Sequence, residues 1–255
     1  MPLRRTSEGI REELDLTIFV PCYNEATRIE GTLETIRGAH AELPLTYEVI
    51  VVDDGSTDDT ARMVEAYRAA HPDFPCRLHR NAGNLGLSRS FVETAFMGRG
   101  RFYRLVCGDN VEPKETMIAL ASKMGSADMV LPYYPQLPGK SRVRRFISAT
   151  FTFLVNALSG RSIRYYNGCA IYRRFHVMRW APYNYGFGFQ ADLITMLLEE
   201  GADYVEVPVT GSHFEKTRGS SPLNVRNFVS TGHTLFEILL RRIRHIVYSK
   251  RGKAP

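Results

Sequence analysis

The sequence predicts an α/β domain built on a mostly parallel sheet, and three observations carry that expectation. Short apolar, β-branched runs alternate with amphipathic helical stretches through the first half of the chain. Two of those runs stop at clusters of small polar and acidic residues: Pro21-Cys22-Tyr23-Asn24-Glu25, and Asp53-Asp54-Gly55-Ser56-Thr57-Asp58-Asp59-Thr60. A helical pattern then follows each cluster. Ligands of open α/β sheets sit at the carboxyl ends of the strands, so both clusters should line one crevice. A rim carrying Glu25, Asp53 and Asp54 repels bare phosphate and suits ribose hydroxyls, base N–H groups and a cation. The ligand implied is a nucleotide held by its nucleoside end, with metal covering its phosphates.

The elements follow in order. Leu16 to Val20 reads as a short buried strand. Ala26 to Leu43 is helical, with Ile29, Leu33, Ile36 and Leu43 on one face. Tyr47 to Val52 is a β-branched strand, and Thr57 to Ala70 a helix with Asp58 and Asp59 in its first turn, where carboxylates favour the helix dipole. Arg77 to Arg80 is a third strand, followed by the glycine-bearing loop Asn81 to Gly86 and a helix over Leu87 to Met97. Phe102 to Cys107 is a fourth strand ending at Gly108-Asp109-Asn110; Pro113 and Glu115 open the next helix, and Met129 to Leu131 is a short strand. This alternation implies a Rossmann-like sheet with crossover helices.

After Pro138 the composition changes. Arg142 to Ser159 predicts a helix with a basic start and an apolar body; Ala170 to Tyr172 a strand; Gln190 to Glu199 a helix; Tyr204 to Val209 a strand; and Asn224 to Val247 a long last helix. No run reaches the ~18 uninterrupted apolar residues of a membrane span. The 255 residues carry a formal charge of +6, spread unevenly. Between Asp128 and Asp192 there is no acid, yet nine basic residues: Lys140, Arg142, Arg144, Arg145, Arg161, Arg164, Arg173, Arg174 and Arg179. Such asymmetry marks an anionic partner. The four cysteines have no C-x-x-C pair, which argues against zinc or a disulfide framework, and the first fifteen residues lack an apolar signal core. A reducing cytoplasm is the expected compartment. No aromatic RNA-binding motif accompanies the basic charge, so nucleic acid is not expected as a partner.

Phe19-Val20-Pro21-Cys22-Tyr23-Asn24-Glu25 followed by Val51-Val52-Asp53-Asp54-Gly55-Ser56-Thr57-Asp58 closely resembles the start of family 2 glycosyltransferases of the GT-A fold. Tyr166 to Arg174, Gly188-Phe189-Gln190-Ala191-Asp192 and Arg218-Gly219-Ser220-Ser221 resemble later signatures of polyprenyl-phosphate sugar synthases. The resemblance spans Leu16 to Leu240. It implies an N-terminal extension over 1–14 and a catalytic domain over 15–223 whose nucleotide-binding half ends near 135. An amphipathic helix and basic tail would fill 224–255.

The same resemblance implies the chemistry: inverting transfer of a sugar from UDP or GDP to a polyprenyl phosphate, with Mg²⁺ or Mn²⁺. Pro21, Tyr23 and Glu25 would contact the nucleoside, Glu25 on ribose hydroxyls, and Asp53 would meet the base. Asp54 is counted with them, or caps the following turn, and Gly86 shapes the same pocket. Asp109 matches the last acid of a D-x-D metal motif whose first position is Cys107 here. Gln190 and Asp192 would face sugar and acceptor, Asp192 as base for a hydroxyl or as orienter for a lipid phosphate. Arg142, Arg145, Arg164, Lys216, Arg218 and Ser221 would clamp diphosphate and acceptor, since arginine–phosphate bonds are charge-assisted. The basic flanks suit the anionic inner face of a membrane, with a separate anchor protein left open. Two alternatives stand beside this: a hydroxyl acceptor on a soluble glycan or protein, and a nucleotide-sugar-binding protein without catalysis.

Overall fold

The computed structural model describes residues 14–136, 142–181, 186, 188–210 and 225–249. Among the described residues seven strands form one sheet: β1 (Leu14–Cys22), β2 (Tyr47–Asp53), β3 (Cys76–Arg80), β4 (Gly100–Leu105), β5 (Met129–Tyr133), β6 (Ile171–Arg173) and β7 (Tyr204–Pro208). Their order is β3-β2-β1-β4-β6-β5-β7. β1 pairs in parallel with β2 and β4, β2 with β3, and β5 with β7. β6 alone runs antiparallel, to both β4 and β5. The helices are α1 (Ile29–His40), α2 (Thr60–Ala70), α3 (Leu87–Met97), α4 (Lys114–Ala121), α5 (Arg142–Ser159), α6 (Arg174–Arg179), α7 (Phe189–Glu199) and α8 (Val225–Ser249).

Both faces of the sheet are buried, and the period of two along each strand divides them. Leu16, Ile18, Val20, Val49, Val51 and Phe102 face a core closed by Leu33 and Ile36 of α1, Val64 of α2 and Leu120 of α4. Phe19, Ile50, Val52, Tyr103 and Leu105 face the opposite core, closed by Phe91 of α3, Val177 of α6 and Phe189 of α7. Phe91 is the hub there, with ring centroids 5.0 Å from Tyr103, 5.3 Å from Phe189 and 6.0 Å from Phe19. The Tyr103 hydroxyl donates to the Phe91 carbonyl at 2.7 Å, which satisfies the buried phenol.

The starts of α1 and α2 differ from the sequence reading for local reasons. α1 begins at Ile29 rather than Ala26, because the Glu25 amide donates to Thr60 Oγ1 (2.8 Å) and the Ala26 amide to Asp58 Oδ2 (3.2 Å). α2 therefore starts at Thr60, and Asp58 braces two loops instead of sitting in a first helical turn; its Oδ1 accepts the Thr60 amide at 2.9 Å. α6 and the reversed direction of β6 had no periodic signal, since three strand residues and six helical ones are too short to show one.

His40, at the end of α1, is buried beneath Tyr47, its Nδ1 3.0 Å from the Ile36 carbonyl. Burial lowers its pKa from 6.5 to about 4, so the folded state holds the ring neutral. The unfolded chain then binds more protons between those values, and stability falls as pH drops through that window, by roughly 3 kcal/mol in all. Urea unfolding at stepped pH should show this slope between about pH 6.5 and 4, and His40→Gln should flatten it.

Candidate active site

Three loops meet at the carboxyl end of β1. The Cys22 carbonyl accepts the Asp54 amide at 2.9 Å, and the Pro21 carbonyl accepts the Gly108 amide at 3.2 Å. Asn24, at φ 58°, ties the first loop to the second: its amide donates to Ser56 Oγ (2.9 Å) and its Oδ1 accepts the Thr57 amide (2.8 Å). The two motifs therefore lie side by side at this end of the sheet, with Tyr23 half exposed.

The two adjacent aspartates have separate jobs. Asp53 is 2% exposed; its Oδ1 accepts the Ser56 amide at 2.9 Å, and its Oδ2 lies 3.5 Å from Arg80 Nε. Asp54 holds a further loop, after β3, accepting Asn81 Nδ2 (2.7 Å), the Leu85 amide (2.9 Å) and the Gly86 amide (2.9 Å). This corrects the sequence reading: Asp53 caps the turn, and Asp54, counted with the nucleotide contacts, is a brace whose lone pairs face protein donors. Gly86 sits at φ 87°, a left-handed backbone that favours glycine, and its amide is spent on Asp54. It shapes the loop rather than offering a donor.

Asp109 follows the Gly108 turn. One buried carboxylate oxygen, Oδ1, has no partner among the described residues. Burial holds its carboxyl above the usual aspartate range, with the Val111 amide and Arg28 pulling the other way. Glu25, whose Oε2 is 3.3 Å from Arg28 Nη1, is also raised, chiefly by burial and further by Asp109. Two raised carboxylates side by side, one with an unpartnered buried oxygen, form an environment that a cation relieves. No group of three or more His, Cys, Asp or Glu side chains able to hold a metal occurs among the described residues. Cys107 adds none, because a hydrogen bond with Cys169 and burial keep its thiol protonated. The residues fit a divalent cation that takes its remaining ligands from a diphosphate and water.

Beyond β6 the edge opens into a groove of about 490 Å³. Arg145 of α5 and Arg164 line it with Tyr133, Tyr134, Tyr165 and Asn156. The Arg164 guanidinium lies 4.4 Å from the centre of the Tyr133 ring, and its amide donates to Glu206 Oε1 at 2.7 Å. Burial pushes the phenols of Tyr134 and Tyr165 up, which keeps both as neutral hydroxyls. Arg142 is exposed at the start of α5, outside the groove lining.

Asp192 is in neither cavity. Its Oδ2 accepts Trp180 Nε1 at 3.0 Å, and its Oδ1 accepts Arg241 Nη1 at 2.6 Å. Arg241 also pairs with Glu199 at 2.9 Å, so Asp192 anchors α8 to α7. That geometry replaces the expected base or orienter with a positioning contact, because both oxygens face buried donors. Gln190, two residues earlier on α7, is half-buried. Lys216, Arg218 and Ser221 lie outside the described residues. The sequence reading missed the tyrosines of the groove; the dipeptides Tyr133-Tyr134 and Tyr165-Tyr166 within the acid-free segment were the available signal. It also missed Arg28, which helical periodicity places only as a surface residue.

Comparison with known proteins gives the family and the fold. A family model described as glycosyl transferase family 2 matches residues 17–180. A dolichyl-phosphate beta-glucosyltransferase of Trichomonas vaginalis is 25% identical over 254 residues, covering 89% of this chain and 72% of that protein. A dodecaprenyl-phosphate galacturonate synthase of Rhizobium johnstonii is 26% identical over 174 residues, covering 67% of this chain but only half of the relative. Among solved structures, glucosyl-3-phosphoglycerate synthase of Mycobacterium tuberculosis with Mn²⁺, UDP and glucosyl-3-phosphoglycerate matches at a TM-score of 0.62 and 17% identity, covering 92% of this chain and 82% of that one. Mannosyl-3-phosphoglycerate synthase of Rubrobacter xylanophilus matches at 0.65 and 17%, covering 92% and 75%. At such identities the likeness establishes the fold, the mostly parallel GT-A arrangement.

Asp54→Ala leaves three N–H donors without their acceptor, which should cost about 1–3 kcal/mol in thermal unfolding. Amide exchange at Leu85 and Gly86 should accelerate while that of α7 stays unchanged.

Proposed function

The chain belongs to glycosyltransferase family 2, and on that premise we propose that it transfers a sugar from a UDP- or GDP-linked donor to a polyprenyl phosphate, inverting the anomeric centre. The observation that carries the reading is the juxtaposition, along one sheet edge, of an acidic loop cluster with a buried unpartnered Asp109 oxygen and a groove bearing two arginines. The relatives named for dolichyl-phosphate and dodecaprenyl-phosphate acceptors support the acceptor class.

In this reading the nucleoside lies against Pro21, Tyr23 and Glu25, with Asp53 closing the base end. Arg145 and Arg164 orient the acceptor phosphate by charge-assisted hydrogen bonds. One phosphate oxygen attacks the anomeric carbon, the bond to the donor diphosphate breaks, and the nucleoside diphosphate leaves with the electron pair. A lipid phosphate is ionised at neutral pH, so no base is needed, which suits an Asp192 already engaged by Trp180 and Arg241. A Mg²⁺ or Mn²⁺ ion bound when donor is present would neutralise the charge developing on the leaving diphosphate. Asp109 would hold it, with Glu25 beside it.

The test is a product assay with Mg²⁺, a panel of UDP- and GDP-sugars, and a short polyprenyl phosphate. A glycosylated lipid phosphate is the expected product; activity persisting in excess EDTA contradicts the metal assignment. Asp109→Asn should lower kcat at least a hundredfold, with the fold kept by circular dichroism. Because burial raises Asp109 and Glu25, protons compete with metal, and the apparent Mn²⁺ affinity should fall as pH is lowered toward their raised range. Arg145→Ala and Arg164→Ala should raise KM for the lipid phosphate about tenfold or more, with donor KM nearly unchanged.

A further inference from the structure

Ten of the fifteen exposed large apolar side chains among the described residues lie on α5 and α8. On α5, Val143, Phe146 and Phe153 recur at spacings of three and seven, opposite the buried Val155 and Ser159. On α8, Val229, Phe236, Ile243 and Val247 recur at seven, seven and four, opposite the buried Thr234 and Ile238. Each helix thus has two apolar faces, one turned inward and one turned to solvent. The two helices pack together, and Arg242 Nη1 donates to the Leu158 carbonyl at 3.2 Å, so the outward stripes form one surface. Exposing Phe146 at 73% and Phe236 at 54% to water is unfavourable at about 25 cal/mol per Å² of apolar area, and a contiguous patch of this kind marks a docking site.

Charge identifies the occupant. α5 carries no acidic residue and α8 only Glu237, while Arg142, Arg145 and Arg244 are exposed on the same pair of helices. A second copy would bring two basic faces together. An anionic lipid surface complements both the charge and the aromatic stripe. Phe153 is exposed on the stripe and also lines the groove that holds Arg145 and Arg164, so surface and groove are continuous. No helix among the described residues is long and apolar enough to cross a membrane, so this contact lies along the leaflet.

We infer that the joint outward face of α5 and α8 is a bilayer-docking surface that opens the arginine groove sideways to the leaflet, so an anionic lipid head enters without leaving the membrane. The lateral entry rests on the acceptor reading above; the docking itself does not. The test is co-sedimentation of the full chain with phosphatidylglycerol or phosphatidylcholine vesicles, with neither donor nor polyprenyl phosphate present. Wild type should partition at least tenfold better onto phosphatidylglycerol, and raised salt should weaken that. Phe146→Asp combined with Val247→Asp should cut the partitioning at least tenfold, whereas Phe96→Asp, at an exposed phenylalanine on α3, should not. Transfer to a short, water-soluble prenyl phosphate should survive in the double variant, which shows that the fold is intact. Equal binding by wild type and double variant overturns the inference. So does a dimer that the double substitution dissolves while wild type ignores vesicles. Docking without any transfer to lipid phosphate defeats the acceptor reading alone; transfer without docking defeats this one alone.

Discussion

Two carbonyls at the end of β1 organise the site. Pro21 and Cys22 accept the amides of Gly108 and Asp54, and these hydrogen bonds tie the ends of three neighbouring strands together. The contact works only at close range: a Cβ on Gly108 would fall 2.7 Å from Cys22 Sγ and 2.9 Å from the Pro21 carbonyl. The loop after β3 is drawn in by the same logic, since Gly55, at φ 80°, packs against Gly83 with no room for a Cβ. Ordering a loop costs roughly 1–2 kcal/mol per residue in backbone entropy. Here the fold meets that cost before any ligand arrives, so binding energy need not be spent on assembling the crevice.

The sheet edge divides its charge. On the β1–β2 side, Glu25 and Asp109 are raised by burial and stand beside Arg28. On the β5–β6 side Arg145 and Arg164 line the groove among tyrosines and small polar side chains, with no acid in the lining. Between them runs a buried ion pair, Arg104 with Glu112, and Arg104 Nη2 also donates to the Cys169 carbonyl at 3.3 Å. That pair fixes the chain after Asp109 against the chain entering β6. The metal-motif loop and the acceptor side are thereby held in one frame, with the Cys107 thiol hydrogen-bonded to Cys169 at the seam.

Much of this was legible in the sequence. Strand–helix alternation and the acid clusters foretold the sheet, and Arg142–Ser159 is a helix over its full expected span, because 3.6-residue periodicity over eighteen residues is hard to mistake. What was not legible depends on contacts distant in sequence. Asp53 and Asp54 are adjacent and chemically identical; only the position of the Asn81–Gly86 loop, brought over by β3, separates a turn cap from a brace. Asp192 looked catalytic beside Gln190, and nothing local discloses Arg241, forty-nine residues later. The antiparallel β6 is three residues long, and its direction is set by which strands it enters between.

The most direct test is a crystal structure of the chain with Mn²⁺ and a nucleoside diphosphate. The account predicts the nucleoside between the ends of β1 and β2, Mn²⁺ bridging Asp109 and the diphosphate, and the three loops unmoved. A nucleotide bound elsewhere, or a metal that bypasses Asp109, would contradict it.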